Sequence, residues 1–210
     1  MCRQLIAAFV LQSLMAACSG QQDPPANPAA REPATTAQAT SEAQPAEISF
    51  GQVLELQSVT FNVVSPNTVS ANTVTVSTTG LEIDNSAWSQ EVDGIVTGAE
   101  VADLNLDGSP EVYVYVKSNG AEEQGSVVAY VANNRKSLSI AYMAPLSETP
   151  GATDGYRGQD EFAVLEGVLG RRFPIHDEAG ALTGRIRQLQ YMLNAGEAGW
   201  ILKADQMLEF

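Results

Sequence analysis

Apolar residues recur at every second position over many short stretches of this chain. The clearest stretch is Glu111 to Lys117, where Val112, Val114 and Val116 alternate with Glu111, Tyr113 and Tyr115. A two-residue period sends alternate side chains to opposite faces of an extended strand, so this segment reads as a strand with its valine face buried. The same reading gives candidate strands at Val53–Val64, Thr73–Thr79, Ile95–Leu104, Val112–Lys117, Ser126–Val131, Ser137–Tyr142, Phe162–Glu166, Gly170–Ile175, Ile186–Leu193 and Trp200–Ala204. Val, Thr, Tyr and Ile are frequent in them, and such side chains fit a pleated, half-buried surface. Gly80, Gly94, Gly98, Asn133-Asn134, Gly170 and Gly180 punctuate the runs. No stretch keeps a helical period over three turns. Many short strands without intervening helices predict an all-β fold, an antiparallel β-sandwich or barrel. The longest gap, Met143 to Asp160, holds Pro145, Pro150, Gly151, Gly155 and Gly158. Loops of that length are usually functional or mobile.

The alternation begins only near Ile48. Residues 1–17 read as an address: Arg3, an apolar core from Leu5 to Met15, then Ala16-Ala17. That core is shorter than the roughly 20 residues a membrane-spanning helix needs. Leu14-Met15-Ala16-Ala17-Cys18 resembles a lipobox, which makes Cys18 the expected lipidation site and first mature residue. Several acyl chains would hold the protein firmly on a bilayer. Ser19, in place of aspartate, resembles the signal for the outer membrane, so the expected location is the cell envelope, in the periplasm and lipid-anchored to the outer membrane, with the side it faces left open. Residues 18–47 are rich in Pro, Ala, Gln and Thr with no apolar period, and they predict a disordered tether. Residues 48–210 form the folded body.

Between two candidate strands lies Asp103-x-Asn105-x-Asp107-Gly108-x-x-Glu111. Oxygen ligands at positions 1, 3, 5 and 9 of a glycine-bearing turn are of the kind that calcium takes. An EF-hand is excluded, because position 12 is Val114 where a bidentate glutamate is needed. The plainer alternative is an Asx turn whose side chains cap their own backbone amides. No other cofactor is called for.

The charge balance narrows the partners. Eleven Lys and Arg stand against 25 Asp and Glu, a formal net charge of -14. Such a chain offers phosphates no basic face, so no nucleic-acid partner is expected, and it would be steered toward cationic partners. Both cysteines, Cys2 and Cys18, lie near the start, so the body has no internal disulfide and no cysteine-based zinc site. His176 is the single histidine. With one histidine, next to Asp177 in a surface-like context, and no Gly-x-Ser-x-Gly elbow, the sequence makes no case for an enzyme. Asp160-Glu161 are adjacent and would point to opposite faces of a strand. Arg171, Arg172, Arg185 and Arg187 are the one basic cluster and are expected to pair with internal carboxylates. Trp88 and Trp200 are expected in the core.

The run Gly98 to Gly120, continued through Gly125-Ser-Val-Val-Ala-Tyr130, closely resembles the bacterial periplasmic inhibitors of invertebrate-type (i-type) lysozyme, the PliI family. Other segments resemble that family in the same order. They are Glu91-Val-Asp-Gly94, Asn133-Asn-x-Lys-Ser-Leu-Ser139, Gly155-Tyr-x-Gly158, Asp160-Glu-Phe-Ala-Val164, Arg171-Arg-Phe-Pro-Ile175, Arg187-Gln-Leu-Gln-Tyr191 and Gly196-Glu-Ala-Gly-Trp200. The resemblance implies a β-sandwich that pushes a loop into the lysozyme's substrate cleft and protects peptidoglycan. The catalytic carboxylates of such a cleft act on glycosides, and hydroxyl and amide donors can occupy them. The loop it implies is Ser118, Asn119, Gly120, Ala121, Glu122, Glu123, Gln124 and Gly125. The family pattern here is Ser-Gly-Ser-Tyr-Gly, whereas this chain has no hydroxyl at Ala121 and no aromatic ring at Gln124. Two carboxylates, Glu122 and Glu123, would face a cleft that itself holds carboxylates, and like charges in a desolvated interface repel. The alternative left open is a calcium-stabilised binding or structural lipoprotein of the envelope that keeps the scaffold without inhibition.

Overall fold

The computed structural model describes residues 49–210; the expected signal peptide, the expected lipidation site Cys18 and the expected tether lie outside them. The body is all-β, with twelve strands in two sheets. They are β1 (Phe50–Leu56), β2 (Val59–Ser65), β3 (Asn72–Thr79), β4 (Trp88–Val92), β5 (Ile95–Ala102), β6 (Glu111–Lys117), β7 (Gly125–Asn133), β8 (Ser137–Met143), β9 (Glu161–Leu165), β10 (Val168–His176), β11 (Leu182–Ala195) and β12 (Trp200–Glu209). Strands β1 to β4 form one sheet in chain order, and the other runs β5-β6-β7-β8-β12-β11-β10-β9. Between β8 and β9 a three-residue 3-10 turn, Leu146–Glu148, opens the long gap.

The strand expected at Val53–Val64 is in fact a hairpin. Gln57 and Ser58 both take positive φ, 51° and 63°, while Leu56 and Val59 face each other across the turn. A two-residue loop with both residues left-handed matches the right-handed twist of its strands. The usual Asn-Gly signal is absent, so the sequence hid the turn. Strand β4 was likewise unmarked, because its Trp-Ser-Gln-Glu-Val segment is mostly exposed.

The larger sheet is mixed rather than purely antiparallel. Trp200, Ile201 and Leu202 of β12 run parallel to Ala141, Tyr142 and Met143 of β8. Alternation along a strand reports burial, not the direction of its partner, so this pairing left no mark in the pattern. The sheet curls until its end strands β5 and β9 approach. There the Glu100 carboxylate of β5 accepts the Val164 N–H of β9 at 2.7 Å and the Tyr115 hydroxyl proton. A side chain thus satisfies a backbone donor that no neighbouring strand reaches.

This curl creates two cores. Phe61, Val74, Val76, Val112, Val114 and Tyr130 pack between the small sheet and the outer face of β5–β8. Tyr113, Val131, Leu169, Phe173, Leu189 and Leu202 fill the inside of the curl. Strand β6 is therefore buried on both faces, not on the valine face alone. Trp200 is half-buried and donates its indole N–H to Asn133 Oδ1 at 2.7 Å. Trp88 departs from the expected core position: it lies on an exposed strand and tilts against Tyr130, ring centroids 6.2 Å apart.

Candidate functional site

The segment Ser118 to Gln124 joins β6 to β7, whose last pair is Lys117 opposite Gly125. It projects from the sheet with residues 119–124 exposed. Its own bonds fix its shape. Ser118 N–H donates to the Gln124 carbonyl at 2.8 Å, and Gln124 N–H returns to Ser118 Oγ at 3.0 Å. Glu123 turns back at φ 47° and donates its N–H to the Gly120 carbonyl at 3.0 Å. The two carboxylates are engaged by the loop and the strand end that carries it. Glu123 pairs with Lys117 Nζ at 2.7 Å, and Glu122 Oε2 accepts from the Gln124 amide at 2.8 Å. Asn119 Nδ2 reaches across to the Val69 carbonyl at 3.2 Å.

The loop stands on the end of the long gap that precedes β9. Gln159 N–H is shared between the Glu122 and Glu123 carbonyls, each at 3.2 Å. Gly158 sits so close that a Cβ there would lie 1.7 Å from the Glu122 oxygen, with φ at +78°. Only glycine tolerates both. Gly125 N–H donates to Asp160 Oδ2 at 2.7 Å. The same carboxylate accepts the Tyr156 hydroxyl proton at 2.6 Å and Arg171 Nε at 2.6 Å, and Arg171 Nη2 donates to the Tyr156 oxygen at 3.1 Å. The guanidinium lies 5.4 Å from the Tyr156 and Phe162 ring centroids and 5.8 Å from that of Phe173. Burial pushes the Tyr156 hydroxyl above its ordinary range, and its bond to Asp160 adds to this, so it stays a donor. A charged pair this dry holds its geometry because aromatic faces and further hydrogen bonds replace the lost water. Beside the loop's base a groove of about 530 Å³ runs along the β5–β9 seam, lined by Thr97, Lys117, Phe162 and Arg172 among others.

The second candidate is the turn between β5 and β6. Ligand oxygens of Asp103, Asp107 and Glu111 lie within 4.8 Å of one another. Asp103 Oδ1 accepts Asp107 N–H at 3.0 Å, Asp103 Oδ2 accepts Gly108 N–H at 2.9 Å, and Asn105 Oδ1 accepts Asp107 N–H at 3.2 Å. Gln57, from the β1–β2 turn, donates its amide to Asp103 Oδ2 at 2.7 Å. Glu111 is fully buried, and its Oε2 accepts Leu104 N–H at 2.8 Å and the Tyr113 hydroxyl at 3.2 Å. Burial, and secondarily the nearby Asp103 and Asp107, push its carboxyl up to about 7 against the pull of those hydrogen bonds.

The sequence marked both segments but not what holds the loop. The Tyr156–Asp160–Arg171 network draws on three of the segments that carry the family resemblance, and only the fold brings them under Gly125. The rest of the basic cluster bonds within the domain. Arg185 and Arg187 both pair with Glu209, at 2.7 and 2.6 Å, and Arg187 also donates to the Ala152 and Asp154 carbonyls. Arg172 departs from the expected carboxylate pairing and donates to Gln188 Oε1 at 2.6 Å. His176 is half-buried at the end of β10. No family model matches this chain, and no curated protein matches it.

Proposed function

We propose that this protein is a lipid-anchored inhibitor of i-type lysozyme in the bacterial envelope. It would be held at Cys18, given reach by residues 18–47, and armed with the Ser118–Gly125 loop. The observation that carries the reading is the loop's preparation: a projecting, polar segment fixed by its own hydrogen bonds on a buried Asp160–Arg171 base. A binding loop that is already ordered loses little conformational freedom on docking, and protease-inhibitor-type recognition depends on that economy. The Ser118 hydroxyl accepts from Gln124 N–H and keeps its own proton to donate. With the Asn119 amide it offers donors to the carboxylates of a glycosidase cleft. Lys117 and Gln124 offset the like-charge cost of Glu123 and Glu122. The chain's net charge of -14 would speed encounter with a cationic enzyme. The all-β fold is of the class that the family resemblance implies.

The test is residual activity of an i-type lysozyme against rising concentrations of the soluble chain from Ser19, with chicken-type and goose-type lysozymes alongside. Stoichiometric, saturating loss of i-type activity alone is expected. Activity unchanged for all three enzymes at micromolar protein refutes the reading.

A further inference from the structure

We propose that Asp103, Asn105, Asp107 and Glu111 form a calcium site that fastens the β5–β6 turn to the β1–β2 hairpin. Acidic residues meet on many protein surfaces without an ion, and the Asx bonds of this turn would form in either case. Glu111 separates the two situations. Its residue exposure is 0%, and while Oε2 has two donors, Oε1 is buried with no hydrogen-bond partner. A buried carboxylate oxygen without a donor is among the costlier defects a fold can carry. Its carboxylate groups with those of Asp103 and Asp107, within 4.8 Å. A cation bound there through Oε1 would satisfy the orphan oxygen and relieve the repulsion among three carboxylates.

The donor set selects the metal. Every side-chain donor is oxygen, with no nitrogen or sulfur, which favours a hard cation over zinc or copper. The ligands sit on one short turn that is left-handed at Leu106 and Gly108, with φ of 56° and 81°. Four side chains cannot complete a cage, so backbone carbonyls and water would fill the rest of calcium's six to eight positions, whereas magnesium demands a stricter octahedron. Asp107 and Gly108 are exposed, which leaves the ion a way in. Gln57 donates to Asp103, so ordering Asp103 also orders the hairpin turn. The site is independent of the inhibitory loop, and its readouts do not involve lysozyme.

The test uses the chain from Ser19 after chelation and exhaustive dialysis. Calcium, magnesium and zinc chlorides are titrated separately by calorimetry, and Tm is read at each endpoint. Expected are one calcium per chain and a Tm rise of about 5–10 °C at a hundredfold excess over Kd. Terbium supplies a local readout. The Tyr113 hydroxyl lies 3.2 Å from Glu111 Oε2, so bound terbium should emit on tyrosine excitation and lose that emission as calcium is added. Asp107→Asn, at an exposed position, should keep the ion-free Tm within about 2 °C and weaken calcium at least about tenfold. Glu111→Gln should abolish the calcium response, and if that variant fails to fold, Asp107→Asn decides alone. No heat and no Tm change at millimolar calcium overturns the proposal. So does an equal response to magnesium, or a calcium response unaltered in Asp107→Asn.

Discussion

Replacing Asp160 by alanine should cost this domain far more than any exposed ion pair does. The Asp160 side chain is 0% exposed and its partner Arg171 is 8% exposed. The substitution deletes three acceptor contacts at once, to Gly125 N–H, the Tyr156 hydroxyl and Arg171 Nε. The guanidinium is then left among three aromatic rings without its counter-charge. Breaking a buried pair from one side costs about 3–5 kcal/mol, chiefly for the stranded charge. The internal control is Glu123→Ala. Its pair with Lys117 is similarly short, but the side chains are 52% and 41% exposed, and such pairs are worth about 0–1 kcal/mol. Urea unfolding of both variants at pH 7, with the slope m unchanged, gives the two losses on one scale. Adding Arg171→Met to Asp160→Ala should recover part of the loss, because the stranded charge is gone. An Asp160→Ala loss within about 1 kcal/mol of the Glu123→Ala loss refutes the argument. A double variant as unstable as Asp160→Ala would show that the stranded charge is not the cause.

Other consequences can be checked with the same preparations. Gly158→Ala should destabilise the domain by at least about 1–2 kcal/mol, from the left-handed backbone alone, and should weaken any loop-dependent inhibition, as read by Tm and residual lysozyme activity. Ser58→Gly should stabilise it by roughly 1 kcal/mol, since Ser58 sits at φ 63°; a lower urea midpoint would contradict this. Ala121→Ser combined with Gln124→Tyr should tighten inhibition of i-type lysozyme, and equal or weaker inhibition would remove the loop from the mechanism. Glu209 is held below its ordinary value of 4.5, first by the Arg187 hydrogen bond. A depressed carboxylate contributes stability above its unfolded value, and that contribution fades as pH falls through the folded one. The deficit of Glu209→Gln should therefore be present at pH 6–7 and shrink below about pH 4, seen as converging Tm curves.

Much of the architecture was legible because it rests on burial. Strands β6, β7 and β10 are largely buried, and the apolar pattern placed each to within about two residues. The hairpin at Gln57-Ser58 was not legible, because its turn uses residues that take a left-handed backbone only under tertiary pressure. The parallel β8–β12 pairing was not legible either, since pairing direction leaves the alternation unchanged. For the loop, the sequence supplied position but not rigidity. Asp160 lies 35 residues from Gly125 and 11 from Arg171, and no local pattern marks residues that meet only after the sheet has curled. The acidic turn was visible from its spacing alone. What the spacing lacked was the asymmetry within it: Glu111 looks like one more surface carboxylate until its burial is known.

Strand β6 lends alternate side chains to each of the two cores, Val112, Val114 and Val116 to one and Tyr113 to the other. Neither core can melt while the other persists unless this strand leaves both, so the layers share one cooperative fate. A single calorimetric transition and one uniform class of slowest-exchanging amides, in β6 and β7, are the expected signatures. For a protein exposed to proteases this matters beyond Tm. A domain that opens only as a whole seldom exposes a partly unfolded edge to a protease, so its lifetime is set by rare global unfolding and not by the frequent fraying of one sheet.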